Sequence, residues 1–229
     1  MYQCDGQLQH QHYAPYQRRV SSAASTGGYW QRGYEASSSV AIGSSSDAWN
    51  GSYSRPSASE VVPSARHRVT LVDYNGNTLL DTYVRPTYHI TDYRSAQTGL
   101  DYSHLQAAPT FTQVQDAVAR LIQNNILVGY RVWDFLSGIG LSHPAIDTRD
   151  MALYRPLRKR LKSRFLIELP TLVRWFIGKE IGRGYENSLE DGLSSMELYQ
   201  ACQTRFESVI SSGAWPCDLP PISFARYFL

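Results

Sequence analysis

Val69-Thr-Leu-Val-Asp-Tyr-Asn75-Gly76-Asn-Thr-Leu-Leu-Asp-Thr-Tyr-Val84 reads as two strands folded about a turn. Asn-Gly between two β-rich runs is the strongest short hairpin signal, because both residues tolerate the positive φ that tight turns need. Pro86 ends the second strand. Downstream the period changes. From Phe111 to Asn124 the apolar residues Val114, Ala117, Val118, Leu121 and Ile122 recur at helical spacing, behind Thr110 as N-cap. Ile126-Leu-Val128 before Gly129 is short and wholly apolar, as in a buried central strand. Pro156 suits the first turn of another helix, with Leu157, Leu161 and Phe165 expected to face the core. Further helices are predicted over about 170–177 and 188–211. Strands first, then helices alternating with short strands, indicate an α/β or α+β domain with a mixed sheet.

The flanks differ in composition. Residues 1–56 are built from Ser, Gln, Gly, Tyr and Arg with almost no Leu, Ile or Val. Such a stretch buries too little to offset its ordering entropy, so a disordered tail is expected there, with the folded domain over 57–211. Residues 212–229 are the reverse case. Trp215, Leu219, Ile222, Phe224, Tyr227, Phe228 and Leu229 make a segment too apolar for solvent. It either docks on its own domain or joins a protein partner or a second copy as a homodimer.

Composition excludes several classes. Among 229 residues, 22 basic and 20 acidic side chains leave a formal charge of +2. Nucleic-acid binding by bulk charge is thus excluded, and any such binding needs a local patch. One is present: Arg155, Arg158, Lys159, Arg160, Lys162 and Arg164 fall together with no acid between Met151 and Phe165. Its alternative reading is an ordinary solvated helix face. Cys4, Cys202 and Cys217 have no metal-binding spacing and are odd in number, which argues against a disulfide scaffold or a zinc site. The N-terminus has no signal-peptide pattern, and the longest apolar stretch, 165–177, is broken by Glu168, Pro170 and Arg174. An intracellular location, nuclear or cytoplasmic, with no membrane contact, is expected.

Several stretches resemble the DEDDh 3′→5′ exonucleases, in the branch of RNA exonuclease 4 and the interferon-stimulated exonuclease. They are Asn75–Pro86, Ile90-Thr-Asp-Tyr-Arg94 with Thr98-Gly-Leu100, Leu127-Val-Gly129, Gly140-Leu-Ser-His-Pro144, Asp147-Thr148, Tyr154-Arg-Pro-Leu-Arg158, and Ser188-Leu-Glu-Asp191 with Met196-Glu-Leu-Tyr199. The resemblance implies a ribonuclease-H-like fold: a mixed five-stranded sheet flanked by helices.

It also implies a chemistry. Two divalent ions about 3.5–4 Å apart activate water and stabilise the leaving oxygen. Four carboxylates hold them, and a histidine takes the water's proton. Mg²⁺ or Mn²⁺ would be the cofactor of an active member; otherwise none is expected.

Mapped onto this chain, the family's D-x-E motif best matches Ala58-Ser59-Glu60. The second motif runs without gaps from Val128 to Pro144, so its histidine becomes Tyr130, its asparagine Asp134 and its metal-binding aspartate Phe135. The third motif, H-x4-D, becomes Glu186…Asp191. Asp191 and Glu60 are then the ligands left for a metal, while Ala58 and Phe135 stand where aspartates are expected. Losing one member of a cooperative catalytic set costs about 10⁴–10⁶ in kcat.

Three functions follow. The first is a catalytically degenerate exonuclease fold that binds RNA or protein. The second is an active exonuclease on RNA or DNA with a site rearranged around Glu60, Asp134, Glu186 and Asp191. The third is a protein scaffold without nucleic-acid affinity.

Overall fold

The computed structural model describes residues 39–43, 68–86, 90, 93 and 95–228. Five strands form one mixed sheet: β1 (Ser39–Gly43), β2 (Arg68–Asp73), β3 (Thr78–Tyr83), β4 (Ile126–Gly129) and β5 (Thr148–Asp150), in the order β3-β2-β1-β4-β5. β1 runs antiparallel to β2 and parallel to β4, and β4 is parallel to β5. The hairpin forms as its sequence requires. Asp73 accepts hydrogen bonds from the backbone of Asn75 and Asn77, and Gly76 takes a φ of 84°.

Helices α1 (Ser95–Thr98), α2 (Tyr102–Gln106), α3 (Phe111–Ile122), α4 (Val132–Ile139), α5 (Arg155–Arg160), α6 (Leu169–Phe176) and α7 (Ser188–Ser211) complete the domain. Thr110 caps α3 in a reciprocal box with Gln113.

Strand alternation divides the core into two. Ala41, Val72 and Val128 join the cluster that also holds α6 and α7 residues, including Leu172, Val173, Leu198, Tyr199 and Phe206. Val40, Ile42, Leu71 and Leu127 join the other, with Val114, Val118 and Leu136 of α3 and α4. The strands β1 and β4 are buried along their whole length.

Three expectations need correction. The sheet's central strand is Ser39–Gly43, inside the stretch expected to be an unfolded tail. Val40-Ala41-Ile42 is apolar enough to be buried between two strands, although the serines around it dilute the composition. Next, α5 stops at Arg160, and Lys162 turns the chain with a φ of 52°. Phe165 therefore does not continue a core-facing stripe and is 82% exposed. Third, the basic patch is partly neutralised. Asp218 forms ion pairs with both Arg155 and Arg158.

The C-terminal segment docks on its own domain. Asp218 donates its N–H to Leu153 O (2.9 Å), Tyr227 O accepts from His143 N (2.9 Å), and Cys217 and Phe224 are buried. Leu219 and Ile222 remain exposed.

Candidate functional site

In open α/β sheets, sites form beyond the carboxyl ends of the parallel strands. Those ends are Gly43 of β1, Gly129-Tyr130 of β4 and Asp150 of β5. The N-terminus of α7, which carries Asp191, closes over the first of them.

That closure is tight. A Cβ on Gly43 would lie 2.5 Å from the carbonyl carbon of Ser188, closer still to its oxygen, and 2.7 Å from Gly192 N. A Cβ on Gly192 would in turn lie 3.1 Å from Gly43 N. Two glycines thus let strand backbone and helix backbone touch where a side chain would otherwise stand between them. A polar chain fixes the approach from the next strand: Thr70 Oγ1 lies 2.7 Å from Ser188 Oγ and donates to Asp81 at 2.9 Å, and Arg68 holds Asp81 in a two-pronged ion pair. The Arg68 bonds and the Thr70 hydroxyl hold the Asp81 carboxyl below its ordinary range.

The residues singled out in the sequence fall as follows. Ala58 and Glu60 lie outside the described residues. Asp134 sits in the first turn of α4, buried, with an ion pair to Arg131 at 2.7 Å. Its neighbour Phe135 is buried in the core cluster of α3 and α4. Tyr130 is buried, donates its hydroxyl to Ile167 O at 3.0 Å, and is held protonated by that burial. Asp191 lies half-buried in the first turn of α7, and Glu186 half-buried just before Asn187, which caps that helix through bonds to Leu189 N and Glu190 N. Among the described residues, no three His, Cys, Asp or Glu side chains come together as ligands for a metal ion. Among the described residues, Asp134, Glu186 and Asp191 therefore do not by themselves make up a two-ion centre.

Sequence reasoning missed two residues of this region. Asp150 is fully buried, and its carboxyl accepts from Val132 N (2.7 Å), Ala152 N (2.9 Å) and Arg131 N (3.1 Å), tying β5 to the start of α4. Burial pushes it up to about 7. Gly43 was missed because its strand was; the Val-Ala-Ile run before it was the available signal.

Of the six basic residues, Arg155 and Arg158 are engaged by Asp218, and Lys159, Arg160, Lys162 and Arg164 are exposed.

No protein-family model matches the chain. Its sequence is similar to curated proteins named RNA exonuclease 4. That of Mycosarcoma maydis is 34% identical over 147 residues, covering 63% of this chain and 39% of the relative. That of Aspergillus fumigatus is 37% identical over 144 residues, 63% and 46% respectively. The chain spans about a third to a half of the length of these relatives.

Among solved structures it is similar to the Neurospora crassa Pan2 catalytic unit, with a TM-score of 0.57 at 16% identity over 81% of this chain and 30% of that one. A Saccharomyces cerevisiae Pan2 pseudoubiquitin hydrolase–RNA exonuclease module, solved with A7 RNA, gives 0.58 at 22% identity over 77% and 30%. The resemblance to the DEDDh exonucleases is thereby borne out: the described domain is an exonuclease-like, ribonuclease-H-like fold related to RNA exonuclease 4.

Proposed function

We propose that this chain is a catalytically silent exonuclease fold that binds RNA without cutting it. The observation that carries the reading is the contact between Gly43 and the Ser188–Gly192 turn of α7. Because the opening strand is Ser39–Gly43, a D-x-E motif ending it would fall on Gly43 and Ser45 rather than on Ala58 and Glu60, where the sequence alignment put it. This chain has no carboxylate at 43 or 45. At the first of these positions even a methyl group would collide with helix backbone. Phe135 supports the same reading, since an apolar ring seated in a core is no stand-in for a hard-cation ligand. RNA as the partner rests on the names of the relatives and on the exposed cations that follow Tyr154.

The relatives' names also favour a second reading, an active 3′→5′ exonuclease using Mg²⁺ or Mn²⁺ at a rearranged set of Glu60, Asp134, Glu186 and Asp191. The two separate in one titration. Single-stranded RNA binding, followed by anisotropy, should persist in EDTA, and added Mn²⁺ should raise neither affinity nor melting temperature. Metal-dependent tightening that is lost in Asp191→Asn would establish the second reading.

A further inference from the structure

Residues 155–185 differ from the rest of the chain in two independent ways. They hold nine of its 22 Lys and Arg but only two of its 20 acids. They also hold three of the four most exposed aromatic rings among the described residues: Phe165 at 82%, Trp175 at 68% and Tyr185 at 61%.

The segment is not a loose arm. Its apolar side, with Leu157, Leu169, Leu172 and Val173, is buried in the α7-side core. Tyr130 OH ties Ile167 to the carboxyl end of β4, beside the closed cleft. The loop after α6 folds back over that helix, with Pro170 only 3.6 Å from where a Gly182 Cβ would stand. Between them lies an open depression of about 280 Å³ lined in part by Arg174 and Arg183. Arg174 and Trp175 both belong to the solvent-facing side of α6. Arg183 pairs with Glu180, and Lys179 with Glu197. Phosphate contacts therefore fall to Lys159, Lys162, Arg164 and Arg174, which form no ion pair among the described residues.

We propose that this surface is a platform for single-stranded RNA, on which the rings of Phe165, Trp175 and Tyr185 stack bases while these four cations follow the backbone. The inference rests on the RNA-binding reading above and says where and how that binding happens. Exposed rings set among cations fit a polyanion with free base faces; a duplex keeps its bases stacked on each other. The mode needs no metal ion and reads little sequence.

The test uses the full chain, fluorescein-labelled oligoadenylate and oligouridylate, and a salt series in EDTA. Wild-type protein should bind both at similar strength and duplex RNA more weakly. Each ring substitution, Phe165→Ser, Trp175→Ser or Tyr185→Ser, should weaken binding about tenfold with the salt slope unchanged. The charge variant Lys159→Glu/Lys162→Glu/Arg174→Glu should weaken it and flatten the slope. These side chains are exposed, so melting temperatures should hold, and each single-ring variant stands as a separate check. Wild-type affinity in all ring variants, or equal affinity for duplex, would overturn the platform while leaving RNA binding intact. Absence of RNA binding by the wild type at low salt would overturn both.

Discussion

Gly43 shapes the carboxyl end of β1 more than any neighbouring carboxylate does. Its hydrogen is all that fits between β1 and the Ser188–Gly192 backbone, so the cost of a side chain there is steric before it is chemical. Gly43→Ala should lower stability by about 2–3 kcal/mol in urea unfolding. Gly43→Asp should cost at least as much and create no Mn²⁺-dependent rise in melting temperature. A Gly43→Asp protein that folds well and is stabilised by Mn²⁺ would show that α7 can be displaced and the centre rebuilt. A second residue-scale prediction concerns Asp150. Its folded value of about 7 stands above the ordinary 3.8, so the native state holds a proton that the unfolded chain has released. This contribution to stability is fully present below about pH 4 and is lost as pH rises toward 7. Melting curves across that window should show a fall that is missing in Asp150→Asn; equal slopes in the two proteins would contradict it.

At the scale of elements, α7 is held by more than its apolar face. Arg149, wholly buried on β5, forms two hydrogen bonds to Glu207 at 2.7 and 2.9 Å, and Tyr199 donates to the same carboxylate at 2.9 Å. Removing one partner strands a buried charge, so Glu207→Ala should cost about 3 kcal/mol. Loss of under 1 kcal/mol would mean that water reaches Arg149. The C-terminal segment is the other clamp. Truncation after Gly213 removes buried Cys217 and Phe224 and frees Arg155 and Arg158 from Asp218. Lower thermal stability at unchanged oligomeric mass is expected. Unchanged stability with a lost dimer would instead assign the tail to an interface. These elements also show what a sequence can display. Periodicity and a cap located α3, and a short apolar run before Gly129 located β4, because each signal is local; helices were also expected where α6 and α7 lie. β1 was hidden: its apolar run, Val40-Ala41-Ile42, is too short to show a periodic pattern, and its partners are distant in sequence. The end of α5 was hidden too, since nothing local distinguishes Phe165 as a platform ring from Phe165 as core. In the site, the second and third motifs could be aligned but the first could not, because its strand was hidden, and the contact of Gly43 with the α7 backbone exists only in three dimensions.

Across the described domain, an exonuclease-like fold is combined with close packing at the carboxyl end of β1, which the proposed reading takes as a silenced site. The carboxyl ends of β1, β4 and β5 are occupied by helix backbone, a buried tyrosine and a carboxyl tied to three N–H groups. Exposed cations and aromatic rings lie together in the segment that follows β5. No helix among the described residues is long and apolar enough to cross a membrane. The account therefore predicts a protein that holds RNA and leaves it whole. The most direct measurement is a time course of the full chain with 5′-labelled single-stranded RNA, in Mg²⁺, Mn²⁺ or EDTA, resolved on a denaturing gel. The account predicts intact RNA at every time point in all three conditions. A ladder of 3′-shortened products that needs metal and disappears in Asp191→Asn would contradict it.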